Sequence, residues 1–252
     1  MKLKIKPRSY QLEAARWALD RDGAVVVMPT GSGKTLIAVI WAGELLRRGA
    51  VKRVLFLEPT RILVEQVADY ITRYLGIEAQ PIHGKYPKEK RREMWEKAVI
   101  AVSTPETALM DIDVVDELKY DAVVIDECHH TTGKDAYAEF MKRKGFKYRL
   151  GLSAFIPYSR RWEIEKYIGS IRVWSWRDER IRKYVPPWIG EVYESELNNV
   201  EKQVLETLEE TRVSYSGRLR GLIQLAIRWF VRDGALALKE SLERETLVSA
   251  IL

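Results

Sequence analysis

An apolar, β-branched run, AVVVM at 24–28, passes without a break into PTGSGKT at 29–35 and then into KTLIAVIWAGELLRRG. This last stretch carries Leu36, Ile37, Ile40, Trp41 and Leu45 at helical spacing and closes on basic residues and Gly49, the pattern of an amphipathic helix with a C-terminal stop. Strand, glycine turn and helix in that order leave few folds open. Glycines at 31 and 33 allow a tight turn whose N–H groups face inward, and the helix N-terminus adds its dipole, so the turn makes a nest for phosphate oxygens. Thr30, Gly31, Ser32, Gly33, Lys34 and Thr35 are expected to hold a nucleotide's phosphates, with Lys34 reaching the outer ones and the Thr35 hydroxyl ligating Mg²⁺. The full G-x-x-x-x-G-K-T spacing is not met, because Met28 stands where its first glycine would be.

Similar apolar runs recur between helix-like stretches, at RVLFLE (53–58), AVIAV (98–102), DAVVID (121–126), RLGLS (149–153) and SIRVWSW (170–176). Their near-continuous hydrophobicity suits strands covered on both faces, and the alternation predicts an α/β fold with a doubly wound, mainly parallel sheet. The texture changes after about residue 185. VPPWIGEVYESEL reads as an extended connector because of its paired prolines, and 199–252 is helical in pattern, with Leu219, Leu222, Ile223, Ala226, Ile227 and Phe230 on one face. The expected organisation is a domain over 1–190 and, over 191–252, a connector with a C-terminal helical appendage of two or three helices.

A nucleotide site of this kind needs an acidic partner on a neighbouring strand. VVIDECHHTT at 123–132 offers two acids, a thiol and two imidazoles in a row. Asp126 ends an apolar strand, at the edge where doubly wound sheets bind ligands, and is expected to share the Mg²⁺ with Thr35. Glu127 beside it would orient or deprotonate the attacking water. Zinc is a poorer reading of Cys128, His129 and His130, because contiguous residues converge badly on one metal. Cys128 as a nucleophile would need a base and an orienting group around it, and nothing else in the chain asks for that chemistry.

Taken in order, PTGSGKT and DECH resemble the first RecA-like motor domain of the superfamily 2 helicases, the DExH group, and the likeness extends over most of residues 6–190. It implies ATP and Mg²⁺ as cofactors, and Lys34, Asp126 and Glu127 as the residues of hydrolysis. PRSYQ at 7–11 looks like the adenine-recognising segment, with Gln11 reading the base edge and Arg8 packing on the ring. PTRILVEQ at 59–66 and STPET at 103–107 look like segments that grip a nucleic-acid strand, through Pro59, Thr60, Arg61, Thr104, Pro105 and Glu106. LGLSA at 150–154 looks like the segment that couples nucleotide state to the strand, through Ser153 and Ala154 with His129 of DECH. Within the superfamily the layout is similar to archaeal Hef-type helicases and more loosely to XPB-like ones. IHGKYPKEKRREMWEKAVIAVSTPET, with Gly84 counted among the strand contacts, carries the Hef likeness, which makes 199–252 the start or whole of an inserted helical subdomain.

The residues support part of this unaided. Strand-end loops on one sheet edge line one groove, and their hydroxyls, N–H groups and arginines are common phosphate partners. The formal charge of +6 points the same way, toward a polyanion, and the Hef likeness favours DNA over RNA. No apolar run reaches the roughly 20 residues of a membrane span, and the single Cys128 agrees with a reducing compartment, so a cytoplasmic or nucleoid-associated monomer is expected. Low Asn content and abundant Lys, Arg and Glu lean toward a thermophile, and the Hef likeness toward an archaeon.

Two departures from the family pattern matter. The coupling motif reads Ser153-Ala154-Phe155 where a final Thr is usual, so His129 is expected to lack a hydroxyl partner. No second motor half follows, so the chain is expected to be a fragment that hydrolyses ATP very slowly alone. A nucleic-acid-binding module that uses nucleotide only as a structural ligand is the alternative, and a P-loop kinase is a third reading.

Overall fold

The computed structural model describes residues 4–133, 135–185, 197–217, 219–227 and 230–231. Seven strands, β1 (Gly23–Val27), β2 (Val54–Leu57), β3 (Ala79–Ile82), β4 (Ile100–Ser103), β5 (Ala122–Ile125), β6 (Tyr148–Ser153) and β7 (Ser170–Val173), form one sheet in the order β3-β4-β2-β5-β6-β1-β7. Every pairing is parallel. This is the expected doubly wound α/β architecture. The helices are α1 (Ser9–Leu19), α2 (Lys34–Arg47), α3 (Arg61–Leu75), α4 (Lys88–Lys97), α5 (Pro105–Met110), α6 (Ile112–Glu117), α7 (Ala136–Arg143), α8 (Arg161–Tyr167), α9 (Glu179–Arg182) and α10 (Asn199–Ser214).

Alternate residues of each central strand feed two separate cores, as the period of two requires. Ala24, Val26, Val54, Phe56, Ala122, Val124, Leu150 and Leu152 pack with α1, α2 and α3. Val25, Val27, Leu55, Leu57, Val123 and Ile125 pack with α4, α7 and α8. Trp41 in the first layer and Trp95 in the second are fully buried, and each contributes on the order of 4 kcal/mol of transfer energy.

The capping residues place the site. Thr60 accepts from Leu63 N at the start of α3, and Gly76 closes that helix at φ 72°. Thr104 accepts from Thr107 N at the start of α5. Both helices therefore begin at the C-terminal edge of the sheet, immediately after β2 and β4.

The chain divides into two compact units, Met1–Trp188 and Ile189–Leu252. In the second, α10 opens with a reciprocal cap, Glu201 N donating to Asn198 Oδ1 at 2.9 Å and Asn198 N to Glu201 Oε2 at 3.0 Å. Residues 219–227 are also helical. Ala226 and Phe230 from the predicted apolar face are buried, packed with Leu197, Leu205, Leu208 and Leu222, whereas Leu219 of that face is exposed. The extended connector, save its end residues Val185 and Leu197, and the helical pattern expected over 235–252 lie outside the described residues.

Candidate nucleotide and nucleic-acid site

The turn after β1 is built as its glycines suggested. Gly31 and Gly33 both have φ 79°, a left-handed conformation open to glycine at little cost. A Cβ at Gly33 would also strike the Gln11 amide. Lys34 Nζ lies over the turn, donating to Met28 O at 3.2 Å and to Pro29 O at 3.5 Å. Burial lowers its pKa, and the negative charges of Asp126 and Glu127 work against that shift. Thr35 lies in the first turn of α2, next to Lys34.

α1 braces this turn from outside. Gln11, buried, donates through Nε2 to Ser32 O at 3.0 Å and to Gly33 O at 3.3 Å, while its Oε1 accepts from Arg8 N at 2.9 Å. Tyr10 donates to Ser32 O at 2.9 Å and receives Arg8 Nη1 at 2.8 Å. The Arg8 guanidinium lies 4.2 Å from the centroid of the Tyr184 ring. Gln11 and Arg8, expected to meet a base, are thus engaged here with the turn and with Tyr184. Neither tyrosine stood out in the sequence, since an aromatic in a helical stretch reads as core.

Asp126 and Glu127 follow β5, one strand removed from β1, with β6 between them. Asp126 N donates to Leu57 O at 3.0 Å, which carries the ladder one residue past the strand. Burial raises the Asp126 pKa, and the neighbouring Glu127 charge adds to it. Glu127 takes φ 47°, a left-handed conformation in a non-glycine residue, which costs roughly 1–2 kcal/mol and turns the chain sharply away from the strand. Cys128 is fully buried, and burial pushes its thiol pKa up, which suits packing and not nucleophilic chemistry. His130 is exposed and lies 3.4 Å from Asp135 Oδ2 through Nδ1.

One carboxyl at this edge was not singled out beforehand. Glu58 ends RVLFLE as Asp126 ends DAVVID, so the same signal, an acid closing an apolar strand, would have found it. It is buried, and burial together with the Asp126 charge pushes its pKa well above the usual carboxylate range.

His129 has a hydroxyl partner, contrary to the expectation drawn from Phe155. Its Nδ1 is 3.0 Å from Ser153 Oγ, at the end of β6. Ser153 donates its own proton to Phe155 O at 2.6 Å, so Nδ1 carries the hydrogen in the contact with Ser153 and Nε2 is left as an acceptor. Burial and His130 lower the His129 pKa, which favours this neutral form. The Phe155 ring lies beside His129, centroids 4.7 Å apart and planes tilted by 33°. Ala154, between them, is partly buried.

Of the expected strand contacts, Thr60, Arg61, Gly84 and Glu106 are exposed on the same sheet edge, and Pro59 is partly buried. Thr104 and Pro105 are buried, and the Thr104 hydroxyl is taken by the cap of α5 and by Thr107 Oγ1 at 3.1 Å. Arg61, Ile62, Glu65, His83, Lys85 and Tyr86 line a cavity of about 300 Å³ between two of these loops. His83 there is buried, 2.8 Å from Glu65 Oε1 and stacked on Tyr86.

A strand, glycine turn and helix, with an acidic pair on the next strand but one of an all-parallel sheet, define the RecA-like class of P-loop folds. The chain belongs to the family described as "Type III restriction enzyme, res subunit", whose model matches residues 4–158. A Methanocaldococcus jannaschii protein named as an ATP-dependent RNA helicase is 36% identical over 158 residues, covering 60% of this chain and 20% of that protein. The ATP-dependent DNA helicase fml1 of Schizosaccharomyces pombe is 30% identical over 181 residues, covering 68% of this chain and 21% of that protein. The chain thus spans about a fifth of the length of these relatives. Among solved structures, the Pyrococcus furiosus Hef helicase domain superposes with a TM-score of 0.65 at 24% identity, covering 98% of this chain and 55% of that one, a likeness of fold.

Proposed function

We propose that this chain is the nucleotide-binding half of an ATP-dependent DNA motor, a helicase or translocase, and that it depends on a second RecA-like half for rapid hydrolysis. The observation that carries the reading is the Lys34 amine, parked on the loop carbonyls and within the electrostatic reach of Asp126 and Glu127. The residues present fit a magnesium nucleotide: glycine-built N–H groups, an ammonium, and an Asp126 carboxylate with one buried oxygen, Oδ1, that has no hydrogen-bond partner among the described residues. Thr35 and Asp126 would hold the Mg²⁺, which supplies positive charge to the phosphates. Thr30, Ser32 and the glycines would cradle phosphate oxygens through their backbone. Glu127 would orient and deprotonate water. Gln11 and Arg8, with Tyr10, would set the loop's shape and meet the adenine edge.

On the other side of the sheet edge, Pro59, Thr60, Arg61, Gly84 and Glu106, with the Thr104-Pro105 backbone, would line a strand's path. His129 would pass the nucleotide state to that path through Ser153, which makes purely structural nucleotide binding the weaker alternative. The unit at Ile189–Leu252 would be the start of an inserted helical subdomain that touches duplex. Several relatives carry DNA helicase names and one an RNA helicase name, and DNA is the substrate we favour. Among the described residues no helix is long and apolar enough to cross a membrane, and we place the protein in the cytoplasm or on the nucleoid.

Steady-state ATP turnover by the isolated chain, with and without single-stranded and duplex DNA, tests this. The expected rate is negligible in every case, because an arginine finger from a second half is worth about 10³ to 10⁵ in rate. Rapid turnover by the chain alone would remove the need for that half. DNA binding at low salt that Arg61→Ala weakens would support the strand path, and equal loss of every nucleic acid on raising the salt is expected of phosphate contacts.

A further inference from the structure

β2 ends with Leu57 paired to Ile125 of β5 on one side and to Ser103 of β4 on the other. The next residue on each strand therefore lies level across the sheet edge, with Glu58 between Asp126 and Thr104. Backbone bonds hold this row, Glu58 N donating to Ser103 O at 2.9 Å and Asp126 N to Leu57 O at 3.0 Å. Glu58 is 2% exposed. Asp111, the other acid buried to this degree, is satisfied by Arg91 and Trp95. Glu58 has no cation partner among the described residues; the side chain set beside it in the row is the Asp126 carboxyl. Glu58 Oε2, Asp126 Oδ1 and the Tyr137 hydroxyl, which feels both acids, are buried without a protein partner among the described residues.

A buried carboxyl set beside another, with nothing to neutralise it, is a costly place to keep an acid unless the contact itself is used. From this register and burial we propose that Glu58 is a positioning residue for the nucleotide site: a hydrogen bond that it donates to the Asp126 carboxylate holds that side chain in one conformation, ready for a magnesium nucleotide. This deepens the nucleotide reading and rests on it. Glu58 touches neither nucleotide nor strand. It acts through Asp126, and its place in the row also ties Asp126 to the backbone that carries Thr104.

The test is the gain in nucleotide affinity that Mg²⁺ brings, measured with a fluorescent ADP analogue on the full chain, in Mg²⁺ and in EDTA. Glu58→Leu fills the volume without hydrogen-bonding, and should lose roughly tenfold of the Mg²⁺-dependent gain while metal-free affinity stays within about twofold, the scale for outer partners of metal ligands. Glu58→Met, also volume-matched, carries the same expectation if the leucine variant does not fold. Glu58→Gln keeps an N–H donor toward Asp126 and should keep the gain within about twofold. Folded Leu or Met variants with the full gain would overturn the proposal, as would equal losses with and without metal, or a Gln variant as impaired as Leu. Absence of any Mg²⁺-dependent binding by the unaltered chain would instead overturn the nucleotide reading, and this proposal with it.

Discussion

Ser153 takes a hydrogen from His129 Nδ1 and another from Phe155 N at 3.3 Å, and gives one to Phe155 O, all while fully buried. Ser153→Ala therefore strands Phe155 N and Phe155 O and leaves His129 Nδ1 only the Glu127 carboxylate, Oε2 at 3.3 Å, and chemical denaturation should show a loss of about 1–3 kcal/mol. Phe155, over half exposed, loses only its ring contact with His129 when truncated, so Phe155→Ala should cost under about 1 kcal/mol. At this scale the sequence was informative where a residue type has one use. Gly31 and Gly33 announced a tight left-handed turn ahead of a helix that starts at Lys34, and Asp126 an acid at a strand end. It was silent where the partner comes from elsewhere in the chain. The motif around Ser153 promised a missing hydroxyl, but the serine two residues earlier supplies it, because β6 lies between the turn and the acids. Glu58 gives a fainter signal than the Pro59-Thr60-Arg61 that follows it, because one acid at a strand end is also an ordinary surface residue.

Among the elements, β3 is the strand that hydropathy missed. AQPI carries Gln80 and Pro81, and it is tolerated because β3 pairs with β4 alone, at the sheet's margin, where a residue without an N–H breaks no ladder. The basic run of α4 shows the opposite mixture. Arg92 reaches Glu96 one helical turn on at 3.0 Å on the exposed face, yet Arg91 and Trp95 turn inward onto Asp111, which accepts from Arg91 Nε at 2.6 Å, Arg91 Nη2 at 2.7 Å and Trp95 Nε1 at 3.0 Å. Asp111→Ala leaves a buried guanidinium unpaired and should destabilise the domain by roughly 3–5 kcal/mol in a urea titration. At the end of α2, Glu44 accepts from Arg47 and Arg48, which hold its pKa at about 2, below the ordinary value of 4.5. A depressed acid stabilises the fold at neutral pH, and that contribution fades as pH falls from 4.5 through about 2. Because the pairs are largely exposed, Glu44→Gln should cost only about 0.5 kcal/mol at pH 7, with the gap to the unaltered chain closing near the acid end.

For the whole molecule, the alternation of apolar runs and helices was enough to foresee a parallel doubly wound sheet, since continuous burial on both faces leaves strands little else to do. The strand order was not legible, because it depends on which crossovers pass over which face. That order matters most for function: it sets β6 between β1 and β5, and β2 between β5 and β4, so one sheet edge carries the phosphate turn, the acids and the strand-end loops in sequence. The function proposed for that edge depends on Lys34 binding a magnesium nucleotide there. Equilibrium titration of a fluorescent ADP analogue with Mg²⁺, on the full chain and on Lys34→Ala, decides it. Saturable one-site binding that weakens at least about tenfold in the variant, a loss of about 1.4 kcal/mol or more, is predicted; no binding by the unaltered chain, or equal binding by both, would contradict it.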